Sequence, residues 1–325
     1  MPTFSYNGAF VLPVCFRRRG AFATVLPSVS SCFRLFAFLL FFGQVPLVEA
    51  AEAGDVVPQT FRIGAITVTA LLDRHINMDI GLFSGPATPE ERQKYMPEGK
   101  APASINVFLI QAEGKNILVD TGSGTVFPGS SQLDRCLSQL GLAPDNIDLV
   151  LLTHMHSDHI GGLLKHKKRV FPKAQVMVSK PELDYWTSLP KKDAGSANAA
   201  LVKVVLAEYG RDILPPFALG AALLPGISSV DASGHTPGHS VFLVESEGRR
   251  LLILGDLLHA AALQFPLPDE CADFDMDAQA AIKARKDVLA VAAAKDIPVA
   301  GMHIPFSGVG KVMVKDKGFD FTPLP

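Results

Sequence analysis

Residues 151–162 read Leu151-Leu152-Thr153-His154-Met155-His156-Ser157-Asp158-His159-Ile160-Gly161-Gly162 and begin inside the apolar run 147–152. The run predicts a buried strand that opens into a glycine-terminated loop. Alternate strand residues point the same way, so His154 and His156 can bind one divalent cation. Asp158 and His159 can bind a second, since zinc accepts imidazole and carboxylate ligands. A polar loop of solvated histidines is the alternative, but so dense a cluster favours a metal site.

Three further ligand-type residues also come directly after predicted strands. His235 follows the strand 227–231, within the turn Gly234-His235-Thr236-Pro237-Gly238-His239. Asp256 follows the strand 250–254, and His303 follows the strand 299–302. Strand ends at one edge of a sheet bring their side chains together, so we expect a single site in a layered α/β fold. The residues expected to converge there are His154, His156, Asp158, His159, His235, Asp256 and His303.

The remaining chain after Asp55 reads as one domain. Apolar runs and helical spacing predict strands at 61–72, 105–110, 116–119, 175–179 and 241–245, and helices at 131–140, 181–188, 196–209 and 276–295. The segment 75–104 is predicted to be a long loop, which either lies over the site or is a surface excursion. Asp120 is expected to support the site without being a ligand, and Trp186 to be a core residue.

Composition excludes several classes of function. The 325 residues carry a formal net charge of −2, and 19% of them are charged. This balance shows no electrostatic bias towards nucleic acid or an anionic membrane. The mean hydropathy of +0.25 predicts a compact chain rather than a disordered one.

Residues 1–50 are expected to be a leader that is not part of the fold. Arginines at 17–19 and 34 precede the apolar run 35–42, and Val48-Glu49-Ala50 has the small-x-small pattern of a signal-peptidase site. The apolar run is short beside the ~20 residues that span a bilayer, which favours cleavage over an uncleaved anchor. We therefore predict a leader over 1–50, a folded domain over 51–325, a periplasmic or secreted protein, and no stable membrane insertion after cleavage.

Cysteine usage leaves two interpretations open. Of the four cysteines, Cys15 and Cys32 fall in the leader, which leaves Cys136 and Cys271. In an exported protein these two can form one disulfide. Two unpaired buried thiols fit equally well, because sequence alone cannot place the pair within bonding distance.

The order of the motifs resembles the metallo-β-lactamase family. The chain carries His-x-His-x-Asp-His, then Gly-His-Thr-Pro-Gly-His, then Gly-Asp and a late His. The stretches 234–240 and 254–257 and the Ala-rich helix after Gln264-Phe265 further resemble methyl parathion hydrolase and its relatives. Those relatives are exported binuclear hydrolases of organophosphate triesters, aryl esters and lactones. The resemblance implies a four-layer αββα sandwich over 51–325 with two divalent metal ions, zinc, at the sheet edge.

The same resemblance implies a role for each candidate ligand. One metal would be held by His154, His156 and His235, the other by Asp158, His159 and His303, with Asp256 between them. His239 would support the turn, because the family's ligand is the histidine before Thr236. Asp158 and Asp256 are the predicted catalytic residues. They would hold the ions that share a hydroxide, which attacks a small-molecule ester, lactone or organophosphate.

Some positions depart from neighbouring families of this fold. His156 stands where redox diiron flavoproteins carry a glutamate, and a non-hydrolytic metal-binding or redox protein of the same fold is the alternative function. Many quorum-signal lactonases carry a tyrosine shortly after the bridging aspartate, whereas this chain has Leu257-Leu258-His259. His259 either donates a hydrogen bond to substrate or fills the pocket wall.

An apolar substrate pocket is expected beside the metals. Its predicted lining residues are Leu257, Leu258, Phe265 and Phe306, which suit an aryl or alkyl leaving group. The basic patches of a nucleic-acid-binding protein are missing, so we expect no nucleic-acid partner. The sequence leaves open whether the protein forms a homodimer.

Overall fold

The computed structural model describes residues 56–189 and 195–325, so the predicted leader lies outside the described residues. The strands are β1 Gln59–Ile63, β2 Ile66–Asp79, β3 Phe83–Ser84, β4 Lys100–Ala112, β5 Lys115–Val119, β6 Leu149–Leu151, β7 Leu164–Lys165, β8 Lys168–Arg169, β9 Gln175–Met177, β10 Ala222–Leu224, β11 Ile227–Asp231, β12 Ser240–Ser246, β13 Arg249–Ile253, β14 Cys271–Ala272, β15 Val299–Ala300, β16 Val309–Lys315 and β17 Gly318–Pro323. The α-helices are α1 Pro89–Tyr95, α2 Leu133–Gln139, α3 Ser157–Ile160, α4 Lys180–Thr187, α5 Ala197–Tyr209, α6 Ala261–Gln264 and α7 Ala278–Ala294. Among the described residues, no helix has the length and apolar character needed to cross a membrane.

Side chains along the central strands are buried on both faces of each sheet, which gives the fold four layers. One sheet has the strand order β1-β2-β4-β5-β6-β9, and the other β10-β11-β12-β13-β15-β16-β17. In β4, Phe108 faces the core between the two sheets, whereas Val107 faces the core that α2, α4 and α5 cover. In β12, Phe242 likewise faces the inter-sheet core and Val241 packs with residues of α7. Period-two alternation thus gives each sheet two buried faces, and the predicted αββα sandwich is confirmed.

Parallel strands bring the candidate ligands to one edge. β5, β6 and β9 run parallel, with Val119 opposite Leu151, so the residues that follow β5 and β6 lie side by side. In the second sheet β13 and β15 are parallel, with Ile253 opposite Ala300. β11 and β13 both pair antiparallel with β12 and therefore also run in one direction. The carboxyl ends of these strands carry the two histidine motifs, Asp256 and His303.

The predicted loop over residues 75–104 is wrong. β2 and β4 extend into its two ends as an antiparallel pair, with His75 opposite Ser104 and Asp79 opposite Lys100, and β3 and α1 lie between them in sequence. Polar and apolar residues alternate over 75–79, but so short a run is a weak signal by itself. Pairing satisfies the backbone groups of both strands. The buried side chains Ile76 and Met78 of this extension join a cluster with Leu263 and other residues that follow Asp256.

The predicted helices and the central strands are confirmed, with shifts at their ends. Helix α7 starts after Asp277, whose side chain accepts a hydrogen bond from the Ala280 amide and so caps the first turn. The strand predicted at 299–302 is only Val299–Ala300. The hairpin of β16 and β17 at the end of the chain was not predicted.

Cys136 and Cys271 are buried and unpaired, which decides between the two interpretations of the cysteines. Cys136 lies in α2 and its thiol contacts the Leu72 carbonyl at 3.6 Å. Cys271 lies in β14 and its thiol is 3.3 Å from the Ala278 carbonyl.

Candidate metal centre

All seven predicted ligands meet at the shared strand edge. His154 and His156 lie in the segment between β6 and α3, and Asp158 and His159 form part of α3 itself. The other three follow β11, β13 and β15. Five of the seven are buried, and His156 and Asp158 are partly exposed. Two groups whose ligand atoms lie within 4.8 Å of one another contain all seven: His154, His156, His235 and Asp256, and then Asp158, His159, Asp256 and His303. A third such group consists of His235, His259 and Asp275.

Three imidazoles form a compact triangle. His154 Nε2 is 3.0 Å from His156 Nδ1, which is 2.9 Å from His235 Nε2. The third side, between His235 Nε2 and His154 Nε2, is 3.2 Å. Nitrogens bound tetrahedrally to one zinc at ~2.0–2.1 Å lie about 3.3 Å apart, so the triangle has the size of a single cation site.

A second group faces the first. His303 Nε2 lies 3.3 Å from Asp158 Oδ2, and His159 Nε2 lies 3.6 Å from the same oxygen. His159 Nε2 is also 3.0 Å from Asp256 Oδ1. Two histidines and two carboxylates around one point form a donor set that suits a divalent ion.

Asp256 belongs to both groups. Its Oδ2 is 3.4 Å from His235 Nε2 and 3.7 Å from His154 Nε2 on one side. On the other side the same oxygen is 3.2 Å from His303 Nε2. One carboxylate therefore reaches both sets of ligand atoms.

Hydrogen bonds on the outer nitrogens fix the orientation of four of the imidazoles. The outer contacts are His154 Nδ1 with Thr153 Oγ1 at 3.0 Å, His159 Nδ1 with Asp120 Oδ2 at 2.7 Å, His235 Nδ1 with Asp275 Oδ1 at 2.8 Å, and His303 Nδ1 with the Ser104 carbonyl at 3.0 Å. Carboxylate and carbonyl oxygens accept hydrogen bonds, so His159, His235 and His303 donate through Nδ1. His154 also donates, because the Thr153 hydroxyl donates its own proton to Asp120. The inner nitrogens then keep their lone pairs, as metal-binding histidines do.

Two of the buried side-chain atoms that lack hydrogen-bond partners lie inside the centre. His159 Nε2 and Asp256 Oδ1 have no hydrogen-bond partner among the described residues. Buried polar atoms are normally satisfied, so these two need a ligand that neither side chain supplies. The donor chemistry, the spacing and the unsatisfied atoms all fit a pair of divalent metal ions.

The electrostatics favour positive charge in the second group. Burial lowers the pKa of His156 to about 3. Burial also lowers the pKa of His159 and His303, but the facing carboxylates of Asp256 and Asp158 outweigh it. The pKa of His159 is therefore raised well above its ordinary value and that of His303 to about 10. Two carboxylates in a buried site attract cationic charge, whether protons or metal ions carry it.

Sequence reasoning missed two supporting carboxylates. Glu182 in α4 is fully buried, and its Oε2 accepts hydrogen bonds from Thr236 Oγ1 at 2.6 Å and from the Gly238 amide at 3.0 Å. Its Oε1 accepts from the Met155 amide at 2.9 Å and from Trp186 Nε1 at 2.7 Å. Glu182 thus ties the two histidine loops together. The other missed residue is Asp275, and neither carried a motif that the sequence could have shown.

Three residues of uncertain role now have defined contacts. Asp120 supports His159 and Thr153, as predicted, and is not itself among the grouped ligand atoms. His239 accepts a hydrogen bond from the Asp256 amide at 2.9 Å and donates to the Ala232 carbonyl, which is the supporting role expected of it. Trp186 is buried, as expected of a core residue.

The predicted apolar pocket is wrong in most of its lining. Leu257, Leu258 and Phe265 pack in the core under α7, because the chain turns inward directly after Asp256. The aromatic surface beside the candidate ligands comes instead from Phe274, which is 37% exposed and whose ring centre lies 4.5 Å from that of His259. A cavity of about 740 Å³ that includes Phe265 and Phe306 lies along β17, and none of the seven candidate ligands lines it.

Comparison with known proteins agrees with this geometry. The sequence profile of the Metallo-beta-lactamase superfamily matches residues 101–295, and the chain belongs to that superfamily. The crystal structure of hydrolase AbOPH, described as in the beta lactamase superfamily, has a TM-score of 0.78 at 27% identity and covers 84% of this chain and 99% of its own. AidC, a dizinc quorum-quenching lactonase in complex with a product, has a TM-score of 0.74 at 27% identity, with 83% and 98% covered.

A curated relative matches over a shorter region. An N-acyl homoserine lactonase of Bacillus sp is 25% identical over 160 residues, which are 43% of this chain and 58% of that protein. The match therefore spans little more than half of that lactonase. The structural neighbours of this chain are hydrolases and lactonases of the same fold.

Proposed function

We propose that the protein is a binuclear metal-dependent hydrolase that cleaves ester, lactone or organophosphate bonds in small molecules. The observation that carries the proposal is the position of Asp256, whose Oδ2 is 3.4 Å from His235 Nε2 and 3.2 Å from His303 Nε2. A carboxylate between two sets of ligands is what a two-metal hydrolase requires. Membership of the superfamily and the two similar solved structures support the same class.

The chain's residues would prepare the site in two ways. Divalent cations held by these ligands would supply the ability to lower the pKa of water towards neutrality and to polarise a carbonyl or phosphoryl oxygen. Asp256 holds its carboxylate where the two groups meet, and Asp158 contributes its carboxylate to the second group. Asp120 and Asp275 fix His159 and His235 from outside through hydrogen bonds of 2.7 and 2.8 Å. Rigid outer contacts of this kind keep the reacting geometry in place.

Substrate would approach past one aromatic wall. The exposed ring of Phe274 lies against His259, and His259 Nε2 is 3.2 Å from Asp256 Oδ2. An aryl or alkyl group of the substrate can pack on Phe274 while the scissile bond reaches the metals. This wall suits apolar esters and lactones better than charged polymers.

More specifically, we propose that the protein is an exported, zinc-containing enzyme of the methyl parathion hydrolase type. The histidine-rich ligand set supports zinc, and AidC is a dizinc enzyme. The motifs at 234–240 and 254–257 support the subtype, and the basic and apolar pattern of residues 1–50 supports export. Sequencing the N-terminus of protein recovered from the periplasm or medium tests export, with a start at Ala51 expected.

Metal content and a substrate panel test the function. The purified mature protein is assayed for metals per chain and for hydrolysis of an aryl ester, an aromatic lactone, an acyl homoserine lactone and methyl parathion. Two metals with chelator-sensitive turnover on at least one compound are expected, and the best substrate places the enzyme within its class. One metal or none, with no turnover on any compound, would contradict the proposal and favour a metal-binding or redox role.

A further inference from the structure

A fully buried arginine lies behind the metal centre. Arg285 in α7 is 1% exposed and is the largest of the fully buried side chains in the described residues. Its Nε donates to the Leu257 carbonyl at 2.7 Å, and its Nη1 donates to the carbonyls of Pro268 and Glu270 at 2.8 Å each. Its Nη2 faces Asp275 Oδ2 at 3.5 Å. One guanidinium therefore holds the start, the middle and the end of the segment 257–275.

Asp275 connects this arginine to a candidate ligand. Asp275 Oδ1 accepts the hydrogen bond from His235 Nδ1 at 2.8 Å. Its Oδ2 faces Arg285 and accepts from the Ala272 amide at 3.1 Å. Arg285 and the Ala272 amide therefore fix the orientation of the Asp275 carboxylate. That orientation in turn sets the direction of the His235 ring.

Arg285 also acts next to the shared carboxylate. The Leu257 carbonyl that it binds belongs to the residue directly after Asp256. His235 and Asp256 both belong to the first ligand group, which also contains His154 and His156. The two histidines of the second group are held by other contacts, since Asp120 fixes His159 and the Ser104 carbonyl fixes His303.

We propose that Arg285 is a positioning residue that acts through Asp275 to set the metal affinity of the site formed by His154, His156 and His235. The planar fork of the guanidinium reaches three carbonyls and a carboxylate at once. A lysine keeps the charge, but its three N–H donors lie on one nitrogen and cannot reach all four oxygens. This inference rests on the proposed metal centre.

The test measures metal binding in the full folded protein rather than activity. Metal-free wild type, Arg285→Lys, Asp275→Asn and the double variant are titrated with Zn²⁺ and Co²⁺ against a chromophoric chelator, and the visible spectrum of the Co²⁺ form is recorded. Lys283→Met is the matched control, because Lys283 is an exposed residue of the same helix that pairs with Asp287. Thermal unfolding of each metal-free variant reports stability separately.

Arg285→Lys is expected to weaken one of the two sites about 10- to 100-fold, the usual effect of removing an outer partner of a ligand, and to shift the Co²⁺ spectrum. Asp275→Asn is expected to do the same, and the double variant to bind no more than about threefold more weakly than Asp275→Asn, since both act on one path. The control keeps wild-type affinity at both sites.

Three results would overturn the inference. The first is a lower unfolding temperature for Arg285→Lys with both affinities unchanged, which means that the arginine only stabilises the fold. The second is an additive loss of metal affinity in the double variant, or an unchanged metal affinity in Asp275→Asn. The Asp275→Asn result also decides the case if Arg285→Lys does not fold. The third is wild type that binds no metal, which would overturn the proposed function as well.

Discussion

Oδ1 of Asp256 lies 3.0 Å from Nε2 of His159, and neither atom has a hydrogen-bond partner within the described residues. A buried polar atom left in this way costs about 1–3 kcal/mol. A cation that binds both atoms removes that cost, so metal removal is expected to destabilise the protein. At a free concentration 100 times its Kd, one metal adds about 2.7 kcal/mol, or about 5–10 °C in Tm for a domain of this size. Calorimetry with and without chelator measures the shift, and an unchanged Tm would contradict it.

Asp256→Ala is expected to lower turnover by about 100-fold or more and to release one metal, because it removes the carboxylate that both ligand groups share. Turnover and metal content are measured on the same preparation. Asp273→Ala is the control, since Asp273 is exposed and close in sequence to Asp275 but outside both groups. Full activity in Asp256→Ala protein that still holds two metals would contradict the mechanism.

Glu182→Gln is expected to weaken metal binding and to lower the free energy of unfolding by about 1–3 kcal/mol. The carboxylate accepts four hydrogen bonds from the two histidine loops and Trp186. An amide would turn a donor towards two of those donors and separate the loops. Asp184→Asn on the same helix disturbs only an exposed pair with Lys180 and should change stability by less than about 1 kcal/mol. Denaturant titration distinguishes the two variants.

The protein is expected to lose stability at alkaline pH because Tyr209 is buried. Burial raises the pKa of its hydroxyl from 10.0 to about 12, and the hydroxyl donates to the Leu163 carbonyl. Unfolded chains lose this proton near pH 10 and folded chains only near pH 12, so the contribution is complete below pH 10 and disappears as the pH rises to 12. Its size is about 2–3 kcal/mol. Denaturant titrations of metal-free wild type and Tyr209→Phe across that range should show a steeper fall for wild type, and parallel curves would contradict the assignment.

The two buried cysteines are expected to react slowly with thiol reagents. Burial raises the pKa of the Cys271 thiol to about 11 and also raises that of Cys136. Both are therefore protonated at pH 8 and shielded from reagent. Mature native protein should react with less than one equivalent of a thiol reagent, and denatured protein with two, without prior reduction. A requirement for reductant would show a disulfide instead.

Local sequence predicted the elements that depend on neighbouring residues only. A layered α/β fold was predicted from candidate ligands that follow strands, and its αββα form from the resemblance to the metallo-β-lactamase family. The extension of β2 and β4 escaped prediction, because residues 75–79 and 100–104 are short runs whose strand character is shown by pairing between distant segments. Leu257 and Leu258 were placed at the site wrongly, since spacing does not show which way the chain turns after Asp256.

The sequence by itself determined the class of fold and the seven side chains that meet at its edge, because strand patterns and strand-end ligands are local in the chain. Only the tertiary structure decided what holds those side chains in place. Glu182 is 26 residues beyond His156, and Asp275 is 40 beyond His235, and neither stands in a recognisable motif. Their roles arise from hydrogen bonds between segments that fold together, which no local pattern encodes.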